Sequence, residues 1–225
     1  MKNTTVTSPK GFLASGVSAG IKARGKKDIG IIACPTGAKA AAVFTTNKVV
    51  SAAVTVCKQH LKTAVIEAVV VNSGNANTCT GRLGLKNAQT MCSITAKLID
   101  AQPNQVLIAS TGIIGHQLPM EKVNNGIMLA AAGLSSGPQA GNDFAYAIMT
   151  TDTRCKQAYK TLKAGNSEIT IAGTSKGAGM IGPNMATTLC FITTDAAISK
   201  NLLQRALKDA IGNSLNKLTV DGHQS

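Results

Sequence analysis

Apolar positions along the chain fall into short runs broken by Gly, Asn, Ser and Pro, and two periodicities take turns. A loop at Gly16 to Gly20 precedes Asp28 to Cys34, which reads as a buried strand ending at Pro35-Thr36-Gly37. Ala40 to Thr45 and Val49 to Cys57 are rich enough in β-branched residues to predict two more strands, with a turn at Asn47-Lys48. In Thr63 to Val71, Ala64, Ile66, Ala68 and Val70 alternate with Val65, Glu67, Val69 and Val71, a fourth strand. It runs into Asn72-Ser-Gly-Asn-Ala-Asn77, a loop of residues that tolerate tight backbone geometry.

Helical spacing then takes over. Leu85, Ala88, Met91, Cys92, Thr95, Leu98 and Ile99 predict a helix over Leu85 to Asp100, with Pro103 beyond its end. Val106 to Ala109 is a short strand delivering Ser110-Thr111-Gly112. Val123, Ile127, Ala130 and Leu134 mark a helix over Met120 to Leu134, broken by Ser135-Ser-Gly-Pro138. Asn142 to Thr150 is a buried segment of either type. Glu168 to Ala172 and Leu189 to Thr194 read as strands, and Ser199 caps a helix whose buried face is Leu202, Leu203, Ala206, Leu207, Ala210 and Ile211. Strands and helices mixed in this way predict an α/β (α+β) fold of layered mixed sheets with flanking helices, without internal repeat or linker.

Composition narrows the chemistry. Only 3% of the 225 residues are aromatic and none is Trp, so Ala, Val and Ile must supply most of the packing. Lys and Arg number 23 against 10 Asp and Glu, a formal net charge of +13 that would attract anions. The densest basic run, Lys22-Ala-Arg24-Gly-Lys26-Lys27, has no interleaved aromatics for stacking bases, so it reads as a solvated loop and nucleic acid is not the expected partner. Cys34, Cys57, Cys79, Cys92, Cys155 and Cys190 form no CxxC pair and read as reduced thiols in a cytoplasmic setting, with Cys190 a small buried hydrophobe. His60, His116 and His223 are too scattered for a zinc site or a Cys-His dyad; no metal is expected. No apolar run is long enough for a membrane span, and no transit peptide is evident.

The most informative stretch is Thr174 to Ala196. Gly177-Ala-Gly179-Met-Ile-Gly182 has the spacing of a dinucleotide-binding GxGxxG, but Pro183-Asn184 and strand-forming residues follow where a helix N-terminus should hold the pyrophosphate. Thr187 can be read as a nucleophile. If the Ala186–Thr187 bond is cut, Thr187 gains an α-amine able to act as its own base. Equally, Thr187 and Thr188 can simply begin a strand. Ser175-Lys176 suggests a Ser-Lys hydrolase, although adjacent residues on a strand point apart.

Lys176-Gly-Ala-Gly-Met-Ile-Gly-Pro-Asn-Met-Ala-Thr187 resembles the self-cleavage motif of the glutamate N-acetyltransferase (ornithine acetyltransferase) family of arginine biosynthesis. Gly11-Phe12 with Gly20-Ile21-Lys22, Val43-Phe44-Thr45-Thr46-Asn47, Asn72 to Asn77 followed by Thr80-Gly81, Ser110-Thr111-Gly112 and Thr150-Thr151-Asp152-Thr153 match further family signatures in order, so the likeness runs from about residue 11 to about 222. The resemblance implies a DmpA/ornithine-acetyltransferase-like fold and cleavage between Ala186 and Thr187. It implies Thr187 as nucleophile, Thr111 and Gly112 as oxyanion hole, and Thr150, or its neighbour Thr151, with Lys176 and Thr187 as substrate contacts.

The implied reaction moves acetyl from N2-acetylornithine to glutamate without a bound cofactor, with acetyl-CoA as a co-substrate in some relatives. The implied partners are small molecules and the two cleaved chains themselves, associated as a heterotetramer of two α and two β. On this pattern residues 1–186 form an α-chain region and 187–225 the start of a β-chain region, packed on the same fold. Thr219-Val220-Asp221-Gly222 keeps the family pattern and His223-Gln224-Ser225 departs from it, while the family's later glutamate, asparagine and threonine have no counterpart. The chain therefore reads as truncated within the β part. A self-processing amidase or aminopeptidase, and a catalytically incomplete fragment, stand as alternatives.

Overall fold

The computed structural model describes residues 4–63, 65–165, 167–184 and 187–223. Four strands build the first sheet in the order β1 (Leu13–Val17), β2 (Ile29–Ala38), β3 (Ile66–Asn75) and β4 (Val106–Ile113). β1 and β2, and β2 and β3, pair antiparallel, while β3 and β4 are parallel. A parallel pair needs a crossover, and here it is the long helix α2 (Gly81–Leu98). The second sheet is antiparallel, β5 (Lys156–Ala164), β6 (Ser167–Lys176) and β7 (Leu189–Thr194).

β3 carries Ile66, Val69, Val70 and Val71 because it lies mid-sheet with both faces covered. On one face pack α1 (Ala52–His60), α2 and α3 (Met120–Ala132), enclosing Ile29, Ile31, Val70, Met91, Val106 and Ile127. On the other face α4 (Pro138–Ala147) sets Phe144 against Ala14, Ile32 and Val71, and Leu189 and Phe191 of β7 join this cluster. Phe144 and Phe191 meet edge to face, ring centroids 5.3 Å apart. No backbone ladder links the two sheets among the described residues; side chains make the seam.

The mixed layering matches the sequence reading, with local corrections. Val49 to Cys57 is not a strand: Ala53, Val56 and Cys57 sit at helical spacing and bury against the sheet as α1, so tertiary packing overrides β-branched propensity. Ala40 to Thr45 carries no regular element. β1 and β5 give weak apolar signals and were not expected as strands; β5 is largely exposed, so its few apolar residues, Tyr159 and Leu162 among them, follow no buried face. β2 continues through Pro35-Thr36-Gly37 by way of a register shift between Ala33 and Ala38. Ala64, the first apolar position of the expected fourth strand, lies outside the described residues. The segment of undecided type is helical, with Pro138 in its first turn, where a missing N–H costs nothing.

The final helix, α5 (Lys200–Gly212), starts where expected, with the Ser199 hydroxyl accepting from Leu202 N at 3.3 Å. Its apolar stripe is not buried as expected. Only Ile211 is fully covered, Leu202 is 52% exposed, and polar contacts from Gln204 to Ala42 and from Lys200 to the Leu61 and Thr63 carbonyls hold the helix down. Cys190 is half-buried rather than buried, and burial still pushes its thiol up to about 11. Among the described residues no helix is long and apolar enough to cross a membrane.

Candidate active site

The end of β4, paired with the end of β3, meets the end of β6, and Lys176 reaches Thr111 there. Ser73 pairs with Thr111 and Gly74 with Gly112 across the parallel strands. Gly112 has φ +133°, and a Cβ on it would stand 2.3 Å from the Gly74 carbonyl carbon and 2.5 Å from Asn75 N. Only glycine permits that approach. Side chains of the Asn72-to-Asn77 motif hold it in place; the motif's first four residues continue β3 instead of forming the expected loop, because they pair with β4. Asn72 accepts from Ser110 Oγ at 2.6 Å and donates to Asn75 O at 2.8 Å, Asn75 donates to His116 O and Gln117 O, and Asn77 donates to Gly84 O at 2.9 Å. The motif acts as a brace beneath Thr111-Gly112.

Lys176 ends β6, 4% exposed, and donates from Nζ to Thr111 Oγ1 at 2.6 Å, which joins one sheet to the other. Ser175 alternates to the opposite face, so a Ser-Lys dyad does not form. Burial pulls the Lys176 pKa from its ordinary 10.5 to about 8, with Asp152 pushing back and Lys156 pulling further down.

Lys22 is also drawn in, which corrects its reading as part of a solvated loop. The Asp28 carboxylate, itself buried, accepts the N–H groups of Ala19, Ile21 and Lys22 at 2.6, 2.7 and 2.9 Å, and folds the basic loop back on the sheet. Lys22 Nζ then donates to Met149 O at 2.8 Å. Burial lowers its pKa to about 8 against the pull of Asp28. The one acidic residue beside a basic run was the available signal, and sequence spacing alone does not say that it points inward.

Thr150 is half-buried, with its N–H on Asp152 Oδ2 at 3.3 Å; Thr151 is exposed. Asp152 is more than the turn residue its setting between threonines allows: its side chain has no exposed surface, and it also accepts from Gly177 N at 2.8 Å and from Lys156 Nζ. Burial alone would raise its pKa, but these hydrogen bonds, led by Lys156, hold it below the usual carboxylate value.

Thr187 is half-buried in the loop ahead of β7, which begins two residues later. That removes the reading of Thr187 and Thr188 as the start of the strand. The Thr187 hydroxyl donates to the Met180 carbonyl and lies 3.5 Å from Gly179 O; among the described residues it shares no hydrogen bond with Thr111 or Lys176. Met180 sits at φ +54°, and the Asp221 carboxylate holds that turn by accepting Met180 N at 2.7 Å and Ile181 N at 3.0 Å. Val220 N to Ile181 O at 2.9 Å and Asn184 N to Asn216 O at 3.0 Å complete the clasp. Met185 and Ala186, the latter on one side of the expected cleavage, lie outside the described residues. A turn and a strand follow the glycines, so no helix N-terminus exists for a dinucleotide. Among the described residues no group of three or more His, Cys, Asp or Glu side chains could hold a metal ion.

These layers place the chain in an architectural class. The fold alone is shared with the l-aminopeptidase d-ala-esterase/amidase of Ochrobactrum anthropi, described as a variant of the Ntn hydrolase fold, at 12% identity and TM-score 0.57 over 98% of this chain and 71% of that one. Within this class the chain belongs to the ArgJ family, whose profile matches residues 13–225. It is 47% identical to the arginine biosynthesis bifunctional protein ArgJ of Symbiobacterium thermophilum over 98% of this chain and 55% of that protein. The chain thus spans about half the length of the curated relatives it matches. The crystal structure of the ArgJ protein of Bacillus halodurans superposes with TM-score 0.78 at 38% identity, covering 83% of this chain and 96% of that one. That of ornithine acetyltransferase from Mycobacterium tuberculosis, complexed with ornithine, gives 0.73 at 35% identity, covering 81% and 96%.

Proposed function

We propose that this chain carries the processing loop and the first part of the acyl-transfer site of an arginine-biosynthetic acetyltransferase. The observation that carries the reading is the 2.6 Å bond from Lys176 to Thr111, which fixes a buried cation beside the Thr111-Gly112 strand end, at the end of the small sheet where the chain leaves the Thr187 loop for β7. The names of the relatives, arginine biosynthesis bifunctional protein and ornithine acetyltransferase, support it. Thr187 Oγ adds to the Ala186 carbonyl carbon, the C–N bond breaks, and the departing amine takes the hydroxyl proton. Water then hydrolyses the ester, leaving the Ala186 carboxylate and a free Thr187 amine, so that residues 1–186 form the α part and 187–225 open the β part.

That amine, with an ordinary pKa of about 7.7–8.0, takes the hydroxyl proton as Thr187 attacks the acetyl group of N2-acetylornithine. The Thr111 hydroxyl and Gly112 N–H hold the oxyanion, ornithine leaves with the proton, and the glutamate amine collects the acetyl from the Thr187 ester. Thr150, Thr151 and Lys176 contact the substrate. The scheme needs no resident metal or cofactor; acetyl-CoA serves as an optional acetyl donor, and association as two α and two β chains in the cytoplasm completes the reading.

Intact-mass measurement tests it. The purified chain separates into a piece beginning at Thr187, and N2-acetylornithine adds one acetyl to that piece, removable by glutamate. An undivided chain that takes up no acetyl ends the proposal. Hydrolysis of acetylornithine at the same rate with and without glutamate would instead favour an amidase.

A further inference from the structure

Between the two sheets one carboxylate stands among three ammonium groups. Asp152, with no exposed side-chain surface, reaches three segments at once: Thr150 N at 3.3 Å, Gly177 N at 2.8 Å, and Lys156 Nζ on β5. Gly177 is the residue after Lys176, and Lys156 lies in register with Ser175, so the carboxylate is anchored on both sides of Lys176. Lys22 enters from the first sheet, its stem packed beside Gly74 and its Nζ on the Met149 carbonyl, one residue before Thr150. Cys155, whose thiol donates to the Met149 sulfur and lies beside Tyr146, and Asp28 and Lys26 beside Lys22, are further titratable neighbours.

We propose that Asp152 is a positioning residue of the site: it ties the Thr150 loop to the peptide following Lys176 and keeps that buried lysine cationic, so that the pocket presents a fixed positive charge to a substrate carboxylate. The geometry requires such a counter-charge. A buried ammonium loses its proton unless an anion stands nearby, and Lys156 adds like charge to the same region. The depressed Lys176 pKa of about 8, with Asp152 opposing the fall, agrees with this balance. Replacing the carboxylate by a neutral amide leaves Lys176 with the like charge of Lys156 and no opposing anion, and Lys176 gives up its proton at lower pH. A neutral amine no longer attracts a carboxylate.

The inference rests on the substrate reading for its purpose, but its test does not. Competitive acetic anhydride labelling of the whole chain, followed by mass spectrometry of the Lys176 peptide, yields that lysine's titration midpoint directly. The wild-type midpoint is expected near 8. In Asp152→Asn it falls by about one pH unit or more. A Lys176 midpoint that stays put in Asp152→Asn overturns the inference. Should that variant fail to fold, Lys156→Gln serves: removing the cation that competes for Asp152 and repels Lys176 makes the midpoint rise; no rise overturns it equally. Calorimetric titration with N2-acetylornithine adds the functional arm, with affinity lost on the order of tenfold in Asp152→Asn at pH 8 and much less at pH 6. A wild-type chain that ignores acetylornithine while the labelling midpoints shift refutes the substrate reading and leaves the role of Asp152 standing.

Discussion

Lys176→Met separates what a buried charge does for stability from what it does for a ligand. In the wild type the ammonium donates to Thr111 at 2.6 Å, a charge-assisted bond of about 1.5–3 kcal/mol, but its burial costs several kcal/mol. The balance is visible in the pKa, which folding drops from 10.5 to about 8. Between those values the unfolded chain holds a proton that the folded chain has released. Unfolding therefore takes up protons in this window, and stability rises with pH from about 8 to 10.5. Each pH unit in the window is worth about 1.4 kcal/mol, so this lysine contributes roughly 2–3 kcal/mol between pH 7 and 10.

Methionine fills similar volume without a charge and has no such window. Its stability relative to wild type is accordingly most favourable at pH 7 and falls by about 2–3 kcal/mol at pH 10. Urea unfolding of both proteins at pH 7, 9 and 10 measures the difference, and the titrations of all other groups cancel in the comparison. A difference that is constant with pH would falsify the assignment of a buried, charge-strained Lys176. Acetylornithine binding should disappear in the variant at every pH, because its cation is gone.

Two further perturbations address the surrounding backbone. Gly112→Ala forces a Cβ to within 2.3–2.6 Å of the Gly74 and Asn75 main chain at φ +133°, and overpacking with backbone strain should cost about 2–5 kcal/mol, read as a melting temperature lower by roughly 5–15 °C; an unchanged melt means the strands part more easily than their pairing indicates. Asp221→Asn weakens the clasp on Met180 and Ile181, whose carbonyl neighbours hold the Thr187 hydroxyl, and should slow separation of the chain at Thr187 roughly tenfold or more in a time course of intact mass. Because the Asp221 pKa lies below the ordinary carboxylate value, chiefly through the Met180 N–H, acidification through that lowered value should loosen the same clasp. Wild-type cleavage kinetics in Asp221→Asn would show that the clasp is ornamental.

Strong periodicity was legible and weak periodicity was not. The apolar spacing that marks α2 and α3 survives in the structure because one wide face of each packs on a sheet. β5 escapes notice because both of its faces are largely exposed, so no alternation is imposed on it. α1 misleads because Val54 and Val56 favour strand locally, whereas Ala53, Val56 and Cys57 bury together only on a helix. At the site, Lys176 bonds Thr111 directly, and Asp152 ties Thr150 to the residue after Lys176. Lys22 and Asp152 take their importance from folding, since the contacts that bring them to the site, Lys22 Nζ on the Met149 carbonyl and Asp152 on Gly177 N, span 127 and 25 residues. No local rule reaches across such separations.

The seam between the sheets carries a last consequence. Each sheet is stitched internally by main-chain ladders, but Lys176–Thr111, Phe144–Phe191, Gln157–Asn142 and the Thr193 hydroxyl on the Val6 carbonyl join them through side chains. Under mechanical shear or mild denaturant those links should give way before strand pairing does. The meeting of Lys176 with Thr111 is then expected to be lost first on the way to unfolding, while the circular-dichroism spectrum still looks intact.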